Sequence, residues 1–300
     1  MSVPAAYFGV IVIWSTTPLA IQWSGVEVGF LFGVTGRMLI GAVAALGFAA
    51  LLGEEMVWSR RAMRSYLAAG LGIYGAMLCV YWSAQHIPSG WISVLFGVSP
   101  LVTALMARFW FRSETLGLHR LFGMLAGLAG LTVIYGSSLK MDGAAALGVG
   151  GVLVSVFIHS ASALWVKQID ARVPALVLTS GGLLVAAPLF LVTWLLFDGI
   201  WPQIIPLATG VSIVYLALFG SVLGFALYYH VLIQVEATRV ALITLVTPVS
   251  ALALGHVVNG EPLTSQVLLG SLLILSGLAL FQLGDRWLSS RSRGEDLLSG

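Results

Sequence analysis

Long apolar stretches run along the whole chain, separated by short segments that carry charged residues, proline or glycine. A helix needs about 20 apolar residues to cross roughly 30 Å of hydrocarbon. Ten such stretches are present, at residues 4–23, 29–52, 66–87, 90–110, 120–138, 147–166, 174–197, 208–231, 239–258 and 266–284. The pattern predicts an all-α membrane protein with ten transmembrane helices and no separate soluble domain.

The composition favours lipid over water as the surroundings of these helices. Of the 300 residues, 59% are hydrophobic and 9% are charged, whereas about 25% of the residues in an average soluble chain are charged. So few charges cannot cover a globule of this size. This excludes a soluble enzyme, a nucleic-acid-binding protein and a disordered chain.

Basic residues are distributed unevenly between the two sides of the predicted helices. With the N-terminus placed in the cytoplasm, 12 of the 14 Lys and Arg residues fall in cytoplasmic segments, and only Lys140 falls in an outer loop. Loops rich in Lys and Arg face the cytoplasm. Both termini are therefore predicted to be cytoplasmic.

The two halves of the chain resemble each other. Residues 93–105 (SVLFGVSPLVTAL) parallel 241–253 (ALITLVTPVSALA), and residues 113–131 parallel 260–278. The alignment pairs Pro100 with Pro248, Glu114 with Glu261, Gly123 with Gly270, Gly130 with Gly277 and Tyr81 with Tyr229. Because five spans per half is an odd number, the second half enters the membrane from the opposite side. The prediction is two inverted five-helix repeats, residues 1–142 and 143–285, followed by a cytoplasmic tail, 286–300; this architecture suits alternating access.

All 12 Asp and Glu residues lie outside the ten predicted spans. Carboxylates at mid-membrane depth usually mark ion pathways. Their absence argues against an Asp/Glu proton relay and against a buried metal site, and no cofactor is expected. Facilitated transport or exchange fits better, with a histidine as the remaining route for proton coupling.

Arg37 lies within the second span, a few residues from its centre. A charge there costs at least about 2.5–3.5 kcal/mol on insertion scales, so the guanidinium should face water, a substrate or backbone carbonyls. Two roles are open: a clamp for a substrate carboxylate, or a structural arginine that snorkels or bonds helix ends near the outer surface.

Polar side chains in two other spans are further candidates for substrate contact. Ser155, His159 and Ser162 share one face of span six at helical spacing, either lining a cavity or forming interhelical hydrogen bonds. Trp14 and Thr17 lie in span one, where Pro18 lets the helix bend.

Aromatic residues form stripes on spans three and eight. We expect substrate contacts from Tyr74, Tyr81 and Trp82 in the first half and from Tyr229 in the second, although aromatic residues at helical spacing also serve as core. As inverted equivalents, Tyr81 and Tyr229 would flank the two mouths of one pathway. Pro18, Pro100 and Pro248 are the predicted hinges.

Several motifs together resemble a known family. The SETL turn at 113–116, the GEPLT turn at 260–264, the Trp14-Ser15 pair and the Arg37-Met38-Leu39 start of span two are similar to the EamA-type branch of the drug/metabolite transporter superfamily. The resemblance implies a ten-helix carrier of the bacterial inner membrane, in a family with many exporters of amino acids or other small metabolites. Arg37 has no basic counterpart in span seven, where Ser180-Gly181 falls.

These observations predict a secondary transporter, not an enzyme, that exports a small metabolite such as a neutral or aromatic amino acid by alternating access. Broad-specificity drug efflux and lipid or nucleotide-sugar transport remain alternatives. A membrane enzyme is disfavoured because no cluster of nucleophilic, acid–base and metal-binding groups is present. The expected partners are a small-molecule substrate and the lipid bilayer, with no nucleic acid; substrate identity, coupling ion, direction and oligomeric state stay open.

Overall fold

Helices account for the regular secondary structure in the described part of the chain. The computed structural model describes residues 1–87, 89–111, 117–135, 143–244, 246–250, 265–266, 268–270, 272–277 and 279–281, and no β-strand occurs among them. Six helices there are long and apolar enough to cross a membrane: Val3–Ser24, Phe30–Leu51, Arg60–Ser83, Gly143–Ile169, Ala175–Phe197 and Leu207–Gln234. The prediction of an all-α, multi-pass membrane protein is confirmed at this level.

Shorter helices complete the described fold. In chain order the helices are α1 (Val3–Ser24), α2 (Phe30–Leu51), α3 (Arg60–Ser83), α4 (Ser89–Phe96), α5 (Ser99–Met106), α6 (Leu118–Tyr135), α7 (Gly143–Ile169), α8 (Ala175–Phe197), α9 (Leu207–Tyr215), α10 (Gly224–Gln234) and α11 (Ala237–Ala241). A π-helical turn, Ala107–Phe111, follows α5. A longer π-helical segment, Leu216–Leu223, joins α9 to α10.

The predicted spans agree with these helices in part. Spans one to three and six to eight overlap the six long helices, and span five overlaps α6. Span four is divided, because a turn at residues 97–98 separates α4 from α5, whose second residue is Pro100. Spans nine and ten run into residues outside the described part, as does the tail 286–300, so the count of ten remains a prediction.

Close backbone approach and hydroxyl hydrogen bonds hold the long helices together. Helix α3 packs on α7 and α8, α1 packs on α9 and α10, and α2 packs on α8 and the π-helical segment. Two serines of α7 bond across to α3: Ser155 Oγ donates to the Ala76 carbonyl at 2.9 Å, and Ser162 Oγ donates to the Ala68 carbonyl at 2.9 Å. Such contacts matter because lipid tails are as apolar as the helices and supply no hydrophobic drive to associate.

Charged and apolar side chains are segregated in the way a bilayer requires. Large apolar side chains such as Phe8, Val43 and Leu195 are exposed on the outer faces of the helices. The carboxylates in the described part all lie between helices, at Glu27, Glu54, Glu55, Asp170, Asp198 and Glu236. The apolar outer face fits lipid contact, and the acidic groups lie where water can solvate them.

Glycines bring α6 against the helical residues near the C-terminal end of the described chain. A methyl group placed on Gly123 would lie 2.6 Å from the Gly277 carbonyl oxygen, and one on Gly130 would lie 2.5 Å from the Gly270 carbonyl oxygen. The two backbones therefore approach as closely as glycine permits.

The substitution Gly123→Ala is expected to lower thermal stability in detergent, because the added methyl must displace the Gly277 backbone; overpacking costs about 1–3 kcal/mol. Gly47→Ala in α2 is the matched control, since nothing lies within 4 Å of the added methyl there. Temperature-ramped size-exclusion chromatography measures both variants. Equal melting temperatures for the two would contradict this account of the glycine contact.

Candidate functional site

A cavity lies between α1, α2, α3, α4, α7, α10 and the helical residues that follow α11. The centre of a water molecule can occupy about 80 Å³ of this cavity. That is room for several water molecules. Its lining is mostly apolar and aromatic: Trp14, Thr17, Pro18, Ile21, Arg37, Met77, Val80, Ile92, Ser93, Phe96, His159, Phe225, Thr244 and Thr247. We call this space the central cavity.

Arg37 is the one charged side chain in this lining. It is 1% exposed, so it does not snorkel to the surface. Its Nε donates to Ser221 Oγ at 2.8 Å, and its Nη1 donates to Tyr81 Oη at 3.4 Å. The ion pairs in the described part of the chain do not include it. The guanidinium is a buried cation with neutral partners, and these two hydrogen bonds use only part of its five-donor capacity.

The π-helical segment brings Ser221 and Gly220 to Arg37. A methyl group on Gly220 would lie 3.1 Å from Arg37 Nη2. Glycine at this position therefore avoids a tight contact with the guanidinium. π-Helical insertions are uncommon and occur frequently at functional sites. Here the insertion places a hydroxyl beside the buried cation.

His159 of α7 lies within a cluster of aromatic rings. The centre of its ring is 5.9 Å from that of Trp14, 5.2 Å from that of Tyr228 and 6.1 Å from that of Phe96. Trp14 also stacks on Tyr228, with ring centres 5.2 Å apart. Aromatic rings and the Arg37 guanidinium therefore line the same cavity.

A smaller space adjoins the central cavity. It measures about 10 Å³ on the same scale and is lined by Gly72, Ile73, Ala76, Met77, His159, Ser162, Phe225, Tyr228 and Tyr229. Met77, His159 and Phe225 line both spaces. These three residues therefore border both spaces.

The structure places five of the thirteen sequence-predicted site residues in the lining of the central cavity. Trp14, Thr17, Pro18, Arg37 and His159 line it. Tyr81 contacts the cavity residue Arg37, and Ser162 and Tyr229 line the smaller space.

Besides Tyr81, three predicted substrate-contact residues line neither space. The hydroxyl of Tyr74 shares a 2.7 Å hydrogen bond with that of Thr193 on α8. Ser155 is used in the bond to α3 described above, which is the interhelical role considered for it. Trp82 is 36% exposed and lies edge-on to His86, with ring centres 4.7 Å apart. Pro100 is the second residue of α5, and Pro248 lies in the helical residues 246–250; their hinge role stays a prediction.

The predicted site omitted nine lining residues: Ile21, Met77, Val80, Ile92, Ser93, Phe96, Phe225, Thr244 and Thr247. The sequence repeat contained a signal for four of them. At the 148-residue offset that pairs Tyr81 with Tyr229, Met77 falls opposite Phe225 and Phe96 opposite Thr244. Ser93 carried no such signal, and its Oγ is buried without a hydrogen-bond partner in the described part of the chain.

Apolar helices around a mostly apolar cavity, whose described lining includes one charged residue, Arg37, define a multi-pass membrane protein with a cavity between its helices. The chain belongs to the EamA-like transporter family, whose model matches it twice, at residues 3–136 and 146–283. Members of this family are transporters rather than enzymes.

Individual relatives extend over most of the chain. A protein of Bacillus subtilis named "Uncharacterized transporter YoaV" is 24% identical over 90% of this chain and 92% of its own length. A "Probable amino-acid metabolite efflux pump" of Escherichia coli is 28% identical over 74% and 77%. A "Probable terminal-alkyne amino-acid exporter" of Streptantibioticus cattleyicolor is 25% identical over 89% and 92%. A protein of known crystal structure, 21% identical, shares the fold with a TM-score of 0.79 over 96% of this chain and 98% of its own.

The substitution Ser221→Ala is expected to destabilise the protein, because it leaves a buried charged donor of Arg37 without its acceptor, a loss of about 1–3 kcal/mol. Ser212→Ala is the matched control: Ser212 is also buried, but its hydroxyl donates only to the Ala208 carbonyl of its own helix. Thermal unfolding in detergent should show a clearly larger loss for Ser221→Ala. A loss of equal size in both variants would mean that the Arg37–Ser221 bond contributes nothing.

Proposed function

We propose that the protein is a secondary carrier that exports a small, carboxylate-bearing metabolite from the cytoplasm, with neutral and aromatic amino acids as the first candidates. One observation carries this proposal: a buried guanidinium, Arg37, lines a mostly apolar cavity, and its hydrogen-bond partners among the described residues are neutral. The names of the relatives in Escherichia coli and Streptantibioticus cattleyicolor refer to amino-acid compounds, which supports the choice of candidates.

The energetics favour a ligand carboxylate as the partner of Arg37. Removing a guanidinium from water costs several kcal/mol, and neutral hydroxyls recover only part of that cost. A carboxylate can accept two parallel hydrogen bonds from a guanidinium, which are stronger than bonds to neutral acceptors. In this proposal Arg37 is the anion clamp, and Trp14, Phe96 and Phe225 contact the apolar part of the substrate.

Alternating access follows from two inverted repeats, and four observations support that arrangement. The family model matches each half separately. The packing contacts of the two proposed halves also correspond. Helix α3 of the first half contacts α7 and α8 of the second, and the 207–234 helix of the second half contacts α1 and α2 of the first. Repeat-equivalent residues, Met77 with Phe225 and Phe96 with Thr244, line the same cavity.

The fourth observation is the crossed pairing of the glycines. The alignment makes Gly123 equivalent to Gly270 and Gly130 equivalent to Gly277, whereas the contacts join Gly123 to Gly277 and Gly130 to Gly270. A two-fold axis between the helices requires this reciprocity, since each contact then maps onto the other. We therefore propose repeats at 1–142 and 143–285, related by an axis in the membrane plane.

The proposed gates and hinges follow from the same symmetry. Tyr81 and Tyr229 would line the pathway on opposite sides of the central cavity. Pro18 removes a backbone hydrogen bond within α1 beside the cavity, and Pro100 and Pro248 occupy equivalent positions in the two repeats. Bending at these three points would open one mouth as the other closes.

We expect Arg37→Gln to abolish counterflow, because the carboxylate then loses its charged partner. The assay loads proteoliposomes with an unlabelled panel of neutral and aromatic amino acids and their 2-hydroxy-acid analogues, and it follows uptake of the labelled forms. Arg61→Gln, at an exposed arginine near the start of α3, is the control and should retain wild-type rates. Absence of counterflow with every compound in the folded wild-type protein would overturn the proposed function.

We propose that the protein lies in the bacterial inner membrane with both termini in the cytoplasm. In a Cys79→Ser background, which lacks the single native cysteine, Ile204→Cys in the predicted outer loop should react with a membrane-impermeant maleimide in spheroplasts. Glu55→Cys, in a predicted cytoplasmic loop, should react only after lysis. The reverse pattern would refute the orientation.

A further inference from the structure

The charges around the central cavity are unbalanced. Among the described lining residues, Arg37 contributes one fixed positive charge, and none is an Asp or a Glu. The carboxylates in the described part of the chain lie between helices. His159, the other titratable side chain of the described lining, is neutral or cationic. The described lining therefore has a net charge of at least one positive unit.

An α-ammonium group has no charged acceptor among the described lining residues. The threonine hydroxyls of the lining are already oriented, because Thr17 donates to the Ile13 carbonyl and Thr244 donates to the Ala241 carbonyl. Their remaining lone pairs and the ring faces of Trp14 and Phe225 are uncharged acceptors. Arg37 itself repels a second cation in a space this small and this poorly solvated.

A neutral oxygen on the ligand meets different conditions. Ser93 lines the cavity, and its buried Oγ has no hydrogen-bond partner in the described part of the chain. Buried polar atoms are normally hydrogen-bonded, and a hydroxyl can donate to a neutral carbonyl or hydroxyl oxygen. The described lining therefore provides a cation for a carboxylate and a hydroxyl with an unused hydrogen bond, but no charged group for an ammonium.

From this charge balance we propose that the central cavity selects a ligand of net charge −1, a 2-hydroxy or 2-oxo monocarboxylate with an apolar side chain, over the zwitterionic amino acid of the same shape. The inference rests on the proposed function. It narrows the substrate class from carboxylate-bearing metabolites in general to monoanions, which are preferred over the amino acids taken there as first candidates. The ligand carboxylate neutralises Arg37, and no buried positive charge is added.

The test compares L-3-phenyllactate with L-phenylalanine, because the two differ only in a hydroxyl in place of the ammonium group. Calorimetry on purified wild-type protein in detergent at neutral pH measures binding, and counterflow in proteoliposomes measures exchange. We expect phenyllactate to bind about tenfold more tightly or better, a discrimination of the size that one unpaired charge produces.

Two substitutions test whether the charge of Arg37 causes the preference for phenyllactate over phenylalanine. Arg37→Gln should reduce the preference to about threefold or less, whereas Arg37→Lys, which keeps the charge, should retain most of it. Arg61→Gln should behave as wild type. Because the wild-type comparison requires no substitution, the inference stays falsifiable even where an Arg37 variant fails to fold.

The outcomes separate this inference from the export proposal. Equal or tighter binding of phenylalanine, or no binding of either compound, overturns the charge preference. Exchange that shows no preference for phenyllactate also overturns it and leaves export standing. Preferential binding of phenyllactate with no exchange of any compound overturns export and supports the charge preference.

Discussion

The structure depends on how a guanidinium is accommodated among apolar helices. Arg37 is buried beneath α3 and the π-helical segment, and its hydrogen bonds go to two neutral hydroxyls. Gly220, the serine of the π-helical segment and the tyrosine of α3 all lie against it. Charged groups inside a membrane protein are rare and are usually functional. In the proposed function, Arg37 faces a space in which a ligand carboxylate neutralises it.

The two halves differ at this position, and the difference has a physical reason. The residues of α8 that match Arg37 are Ser180 and Gly181. Ser180 donates to the Leu176 carbonyl of its own helix, and Gly181 lies against the ring of Tyr66. A second arginine there would place two like charges in one buried region. In the proposed arrangement of inverted repeats, only the first half therefore has an arginine at this position.

The sequence was enough to locate the long helices, Arg37, His159 and the Trp14–Pro18 surface. It was not enough to divide the other polar and aromatic residues between packing and cavity lining. In a bilayer the lipid-facing and the buried faces of a helix are both apolar, so periodicity cannot tell them apart. Ser155 and Ser162 share a face with His159, yet both hydroxyls bond across to α3. Ser93 and Phe96 lie on α4, and their cavity contacts arise from long-range packing.

The partners of Arg37 also connect ligand binding to movement. In the proposed arrangement Tyr81 belongs to the first repeat and Ser221 to the second, so the guanidinium joins the two halves through one hydrogen bond to each. A ligand carboxylate that takes over those donors changes a contact between the repeats as well as neutralising a charge. A ligand shifts a conformational equilibrium only by its difference in affinity for the two states. A clamp shared by both repeats supplies that difference, because its geometry alters whenever one half rotates against the other.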